Sequence, residues 1–151
     1  MSNTNEMTVE FKAIGENEGF ARIVIAAFIA QLNPTLEEMG DVKVAVSEAV
    51  TNAIIHGYEK TEGMVQIRAS IKDRQIRIQI QDWGKGIRNI EQAMEPLFTT
   101  KPEEERSGMG FSFMEAFMDT VEVESKAGEG THVKMTKTIG KGSRVWTTQS
   151  L

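Results

Sequence analysis

Cysteine is absent from the 151 residues of this sequence. Its absence excludes disulfide bonds, zinc–thiolate sites and thiol nucleophiles, and it is compatible with a reducing cytoplasm. Long apolar runs are absent as well, because none approaches the ~18–20 residues of a membrane span. The opening residues, MSNTNEMTVEFK, lack the basic stretch and apolar core of a signal peptide. We therefore expect a cytoplasmic protein with no membrane partner.

Positively charged residues are fewer than negatively charged ones in this chain. Lysine and arginine number 17 against 22 aspartates and glutamates, so the net charge is −5. A general basic surface for nucleic acid needs the opposite balance, and we expect no direct nucleic-acid contact. A hydrophobic content of 40% and a charged content of 26% are ordinary for a globular domain. We expect one domain over residues 1–139 and a flexible tail over residues 140–151.

Hydrophobic periodicity predicts the order β-α-α-β-β-loop-α-β-β. Strands are predicted near residues 8–13, 64–71, 75–81, 120–126 and 131–139, and helices over residues 16–32, 35–56 and 108–119. Thr35 and Glu38 form a capping-box pattern, and Gly57 is placed to end the second helix. Because the strands arrive as consecutive hairpins, we expect an α+β fold with helices layered over a mostly antiparallel sheet.

Three polar side chains share one face of the second predicted helix. Glu48, Asn52 and His56 recur at every fourth position. The amide oxygen of Asn52 is a hard ligand suited to Mg²⁺ held beside phosphates, and Glu48 can act as a general base. His56 is more consistent with a packing residue at the helix end. A solvated polar face explains the same spacing.

The stretch DWGKG, residues 82–86, follows the cleanest predicted strand. Asp82 ends that strand, where its carboxylate can accept a hydrogen bond from a ligand amine at the mouth of a pocket. Gly84 and Gly86 let the chain turn away and leave space. An ordinary Asp-Gly turn is the competing explanation. Trp83 is expected to be a packing or surface residue.

The stretch SGMGF, residues 107–111, begins the third predicted helix. Glycines at a helix N-terminus expose backbone N–H groups, and the helix dipole favours an anion such as phosphate there. Lys101 and Arg106 lie just upstream and can reach phosphate oxygens. A glycine-containing loop with solvated charges is the competing explanation. The long irregular segment 88–107 is typical of a functional or disordered loop.

Taken together, the motifs resemble the four motifs of the GHKL ATPase superfamily, in the same order. They are Glu48 with Asn52, the DWGKG stretch, GMGF at residues 108–111 and GEGT at residues 128–131. The resemblance implies a two-layer α/β sandwich, the Bergerat ATP-binding fold. It also implies that Mg-ATP or ADP binds under a flexible lid, which would be residues 88–107.

Over nearly the whole chain the sequence closely resembles the anti-sigma-F family of sporulating Gram-positive bacteria. The similarity is carried by SEAVTNAIIHGY, PLFTTKPEEERSGMGF and ENEGFARIVIAAFIAQLNPT. It implies a homodimer that binds sporulation sigma factor F and keeps it from RNA polymerase. It also implies a serine kinase that uses Mg-ATP to phosphorylate an anti-anti-sigma partner.

The resemblance implies a role for individual residues. Glu48 would be the catalytic base, Asn52 the Mg²⁺ ligand, and Arg22 a partner contact. Asp82, supported by Thr131, would accept from the adenine amino group, and Lys101 with Arg106 would neutralise γ-phosphate charge. The implied nucleotide contacts are Asn52, Asp82, Gly84, Gly86, Thr99, Thr100, Lys101, Arg106, Gly108, Met109, Gly110, Phe111 and Thr131.

The sequence leaves three alternative functions open. One is a related anti-sigma kinase that serves a stress-response sigma factor. Another is a histidine-kinase ATP domain separated from its receptor, although the only histidines are His56 and His132 and no dimerisation helix carries a phosphoacceptor. The last is a nucleotide-binding module without catalysis, which would have no need of a base at Glu48.

Overall fold

The computed structural model describes residues 4–58, 61–87, 89–95 and 110–140. The elements follow the predicted order, with one short additional helix after the DWGKG turn. The strands are β1 (Thr4–Lys12), β2 (Met64–Lys72), β3 (Gln75–Asp82), β4 (Thr120–Lys126) and β5 (Gly130–Thr138). The helices are α1 (Glu16–Ile29), α2 (Leu36–Asn52), α3 (Ile90–Ala93) and α4 (Gly110–Phe117).

The predicted capping box starts α2 as expected. The backbone N–H of Glu38 donates to the Thr35 hydroxyl at 3.0 Å, and the Glu38 carboxylate accepts from the Thr35 N–H at 2.9 Å. A 3₁₀ turn over Ala30–Leu32 ends α1, and Asn33 then adopts a left-handed conformation with φ 50°. The chain therefore reverses between α1 and α2, which pack against each other.

The end of α2 differs from the prediction of a regular helix up to His56. The α-helical part stops at Asn52, and a π turn continues over Ala53–Gly57. A π turn contains more than four residues per turn, so it rotates the residues after Asn52 relative to an α-helix. Periodicity could not reveal this change, because the apolar residues of the segment suit either turn.

The five strands form one antiparallel sheet in the order β1-β2-β3-β5-β4. Alternate residues of each strand face the helices, as the period-two pattern predicts. The sheet face under the helices is buried, and its central residues include Ile67, Ile78 and Ile80. The α+β, two-layer prediction is therefore confirmed.

The core lies between the sheet and helices α1, α2 and α4. Its fully buried side chains are mostly branched aliphatic residues: Ile25, Ile29, Val42, Val46, Val50, Ile67, Ile76, Ile78, Met114, Met135 and Ile139. Such residues suit both the helix face and the sheet, and their burial is the main favourable term in folding. Among the described residues, no helix is both long enough and apolar enough to cross a membrane.

Candidate functional site

A cavity of about 530 Å³ opens between α2, the ends of β3 and β5, and α4. It joins three of the sequence motifs that were predicted to act together. Its lining consists of Ala49, Asn52, Ala53, His56, Gly57, Ile80, Asp82, Lys85, Gly86, Ile87, Asn89, Gln92, Ala93, Glu95, Gly110, Phe111, Ala127, Gly128, Thr131 and Val133. A largely apolar cavity with a few polar groups is typical of a small-molecule site.

Asp82 is the most deeply buried polar residue of this cavity, with 5% of its surface exposed. Burial raises the pKa of its carboxyl group above the ordinary value, although hydrogen bonds from the backbone N–H groups of Gly84 and Thr131 act in the opposite direction. The Gly84 N–H lies 2.9 Å from Oδ1. A buried carboxylate held in this way is a hydrogen-bond acceptor for a ligand.

Glycine is required where the backbone packs closely around Asp82. A Cβ on Gly84 would overlap the carbonyl group of Gly57, and a Cβ on Gly57 would lie 3.1 Å from the Asp82 carboxylate. The Gly57 carbonyl accepts from the Lys85 N–H at 2.8 Å, which ties the π turn to the DWGKG turn. Gly86 lines the cavity itself, whereas Gly84 acts behind it. Trp83, half exposed, lies outside the lining.

Ser125 is a structural link that sequence reasoning missed. Its hydroxyl accepts from the Ile87 N–H at 2.7 Å, lies 3.0 Å from the Gly130 carbonyl, and lies 2.9 Å from the Thr131 hydroxyl. One side chain of β4 thereby joins β5 to the segment after the DWGKG turn. No local motif marks this serine, because Gly130 and Thr131 reach it only across the β4–β5 hairpin and Ile87 lies 38 positions away.

The start of α4 lies against the polar face of α2. A Cβ on Gly110 would be 3.2 Å from Asn52 Nδ2, 3.3 Å from Asn52 Oδ1 and 3.4 Å from Glu48 Oε2. The first residue of α4 therefore packs against a carboxamide and a carboxylate in one place. Phe111, which is buried, closes the apolar wall beside them.

His56 lies in the π turn, is partly buried, and lines the cavity with Asn52. The prediction that it is a helix-end residue agrees with this position. Lys85, Asn89 and Gln92 also line the cavity, and none of them was predicted from the sequence. A lysine inside a glycine turn and two polar residues in a long loop carry no local signal for this role.

Arg22 lies on the outer side of α1, away from the cavity lining. Its Nε donates to Glu18 Oε2 at 2.8 Å, and Glu18 Oε1 accepts from the Ser47 hydroxyl at 2.7 Å. Glu18 therefore holds the predicted partner-contact residue and connects it to the residue next to Glu48. This link between α1 and α2 was not predicted from the sequence either.

Six of the predicted nucleotide contacts lie outside the described residues. They are Thr99, Thr100, Lys101, Arg106, Gly108 and Met109. The structure brings the remaining nucleotide contacts together around the cavity, with Gly84 directly behind its wall.

The domain that contains this cavity, with its buried aspartate and its asparagine on the helix face, belongs to a known class. Residues 15–137 match the family described as the histidine kinase-like ATPase domain, and the chain belongs to that family. The match indicates an ATP-binding domain and confirms the GHKL prediction at the level of the superfamily.

Comparison with curated proteins identifies a more specific family within this superfamily. The anti-sigma F factor of Thermoanaerobacter sp. (strain X514) is 59% identical over 140 residues, which cover 93% of this chain and 98% of the relative. The anti-sigma F factor of Caldanaerobacter subterraneus subsp. tengcongensis is 57% identical over 141 residues, with 93% and 99% covered. This chain belongs to the anti-sigma F factor family, as the sequence resemblance predicted.

A solved structure agrees with this fold. The chain superposes on the crystal structure of the RsbU and RsbW domains of Rv1364c from Mycobacterium tuberculosis with a TM-score of 0.65. The superposition covers 89% of this chain and 32% of that one, at 18% identity. This chain thus corresponds to about a third of the solved protein, and the likeness extends to the fold.

Proposed function

We propose that this protein is a cytoplasmic serine kinase and anti-sigma factor. It binds Mg-ATP in the cavity, transfers the γ-phosphoryl group to a serine of an anti-anti-sigma partner, and holds sporulation sigma factor F away from RNA polymerase. The observation that carries the kinase proposal is the convergence of Gly110, Asn52 and Glu48. The anti-sigma part is supported by relatives that are named anti-sigma F factors.

The adenine end of the nucleotide is assigned to Asp82 and Thr131. Both residues are buried and both line the cavity. The Asp82 carboxylate accepts from the exocyclic amino group of adenine, and the apolar side chains of Ile80 and Val133 face the ring. The phosphates then extend toward Gly110 at the start of α4, where helix N–H groups favour negative charge.

Asn52 suits a magnesium ion held beside those phosphates. Its amide oxygen is close to the start of α4, and the described residues contain no cluster of three His, Asp or Glu side chains that could hold a metal alone. Such a donor set fits Mg²⁺, which is commonly bound through one or two protein oxygens plus phosphate oxygens. When bound, Mg²⁺ neutralises phosphate charge and orients the γ-phosphoryl group.

Glu48 acts as the general base of the transfer. The serine oxygen of the partner forms a bond to the γ-phosphorus, the bond from that phosphorus to the bridging oxygen breaks, and ADP leaves. The serine proton passes to the Glu48 carboxylate, which lies next to Asn52 and Gly110. Lys101 and Arg106 remain predicted contacts for the γ-phosphate.

The outer face of α1 is the proposed contact surface for protein partners, including a second copy in a homodimer. Phe20 is 44% exposed and Ile23 is 69% exposed, with Arg22 between them. Exposed apolar side chains beside a charged one are typical of an interface. Sedimentation of wild type and Ile23→Glu tests this assignment, because loss of an apolar contact would shift a dimer toward monomer.

The decisive experiment is phosphoryl transfer from γ-labelled Mg-ATP to the partner. We expect label on a serine of the partner, and a rate reduced by about 10²-fold or more in Glu48→Gln with ADP affinity retained. Glu115→Gln, which changes an exposed glutamate of α4, is the matched control. Full transfer by Glu48→Gln would refute the base assignment, and label on a histidine of the protein itself would support a histidine-kinase activity instead.

A further inference from the structure

The Ser125 hydroxyl makes three polar contacts but has only one proton to donate. It lies on β4, outside the cavity lining, and has contacts at 2.7 Å to the Ile87 N–H, 3.0 Å to the Gly130 carbonyl and 2.9 Å to the Thr131 hydroxyl. A hydroxyl group carries one proton and two lone pairs. The direction of each contact can therefore be deduced from the partners.

Two of the three contacts have a fixed direction. The Ile87 N–H can only donate, so it occupies one lone pair of Ser125. The Gly130 carbonyl can only accept, so it takes the Ser125 proton. The contact between the two hydroxyl groups must then be donated by Thr131 to the second lone pair of Ser125.

This direction decides what Thr131 offers to the cavity. Its proton is directed away, toward Ser125, and its lone pairs remain for a ligand. Thr131 is 8% exposed, and its backbone N–H hydrogen-bonds to the Asp82 carboxyl, so the two acceptors lie beside each other. An acceptor pair suits an amino group, whereas a carbonyl oxygen in the same place would meet two oxygens without a hydrogen between them.

We propose that Ser125 is a positioning residue that fixes the Thr131 hydroxyl as an acceptor and so makes the cavity select a base with an amino group over one with a carbonyl oxygen at the same position. The selection is for adenine over hypoxanthine nucleotides. The inference rests on the proposed function, because it requires a purine at the Asp82 end of the cavity.

The test compares the affinities of ADP and inosine diphosphate by titration calorimetry with the full chain. Wild type is expected to prefer ADP. Ser125→Ala releases the Thr131 proton, and the ratio of the two affinities should fall by about fivefold or more, as expected for one hydrogen bond. Ser125→Thr keeps the hydroxyl group and should keep the wild-type ratio.

Thr120→Ala is the matched control for removing a hydroxyl from β4. Its hydroxyl pairs with Thr136 at 2.6 Å on an exposed part of the same two strands, far along the register from Thr131. The ratio in this variant should equal that of wild type. Thermal unfolding followed by circular dichroism sets a temperature at which every variant is folded.

Two results would overturn the proposal. One is an unchanged ratio in Ser125→Ala, and the other is a ratio in Ser125→Thr that falls as far as in Ser125→Ala. The affinities of wild type separate this inference from the function on which it rests. If wild type binds neither nucleotide, the nucleotide site is wrong; if it prefers ADP while the variants are indistinguishable, Ser125 alone is wrong.

Discussion

At the scale of single residues, Asp82 combines a cost in stability with a proposed role in binding. Burial raises its pKa in the folded chain above the ordinary value for an aspartate, against the hydrogen bonds from Gly84 and Thr131. The folded state therefore holds the proton to higher pH than the unfolded state. The stability gained from protonation is fully present below the unfolded pKa and is lost as pH rises through the folded pKa.

Asp82→Asn removes this titration and provides a direct test. In urea unfolding without nucleotide, wild type should lose stability relative to Asp82→Asn as pH rises above the ordinary range of an aspartate, about pH 4, because only wild type gives up the stabilising proton. A difference that stays constant as pH rises would contradict the burial argument. The control is Asp73→Asn, which changes an aspartate of the exposed β2–β3 turn.

Asn52→Ala should reduce the affinity for Mg-ADP by about tenfold or more, because it removes the proposed metal ligand and its orientation of the phosphates. Affinity for ADP measured in EDTA should change much less, since the base and its pocket are intact. Calorimetry with and without Mg²⁺ distinguishes loss of the metal ligand from damage to the pocket for the base. Equal losses in both conditions would mean that Asn52 acts without the metal.

The candidate site residues that could be found from the sequence are those whose residue type is unusual for their position in a helix, strand or turn. Asn52 in a helix, Asp82 before two glycines and Gly110 at a helix start all carry a local signal. Ser125 and Glu18 are ordinary surface-type residues by sequence. They become informative only when the fold pairs β4 with β5 and brings Ile87 to Ser125 and Ser47 to Glu18, and such contacts leave no trace in the spacing of neighbours.

At the scale of elements, the capping box gives a quantitative expectation for α2. Thr35→Ala removes the acceptor for the Glu38 N–H and should lower the free energy of unfolding by about 1 kcal/mol. Thr35→Ser retains the oxygen and should change it much less. Urea unfolding of the three proteins measures both effects, and equal losses in the two variants would show that the methyl group matters more than the cap.

The close approach of the π turn to the DWGKG turn gives a second expectation. Gly84→Ala places a Cβ on the Gly57 carbonyl and should push the two turns apart, with a loss of both stability and ADP affinity. Gly40→Ala is the matched control, because the Cβ on this helical glycine meets no atom within 4 Å. It should stabilise the protein by up to about 1 kcal/mol. Thermal unfolding and calorimetry test both, and a Gly84→Ala protein as stable as wild type would contradict the packing.

The helices and strands were predictable because their periods are clear, as β2 and β3 show. The short α3 was not predicted, since four residues inside a long irregular stretch give no periodic signal. The Asn89 side chain accepts from the Gln92 N–H at 3.0 Å and caps this helix. A cap of that kind is recognisable only when a helix is already expected behind it.

At the scale of the whole molecule, the nucleotide joins segments that are far apart in sequence. The cavity takes residues from α2, β3, α3, α4 and β5, so a bound ligand connects both halves of the chain. Ligand present at about 100 times its dissociation constant should stabilise the folded state by about 2.7 kcal/mol. Thermal unfolding with increasing ADP should show a continuous rise in melting temperature.

A matched control makes this expectation specific. In Asp82→Asn the rise should be much smaller at the same ADP concentration, because the proposed acceptor for the amino group of adenine is impaired. A similar rise in both proteins would show that ADP stabilises the fold from some other surface.

The π turn also has a consequence for the genetics of this chain. Residues 53–57 hold one residue more than an α-helical path needs, as a single-residue insertion would produce. Deletion of Ile55 would remove that extra residue, so α2 could run on as a regular helix and still bring Gly57 to Gly84 and Asp82 in nearly the same orientation. The adenine end of the site should therefore tolerate this one change in chain length. A one-codon deletion here should retain most of the ADP affinity measured by calorimetry, and loss of that affinity would show that the wide turn itself is needed.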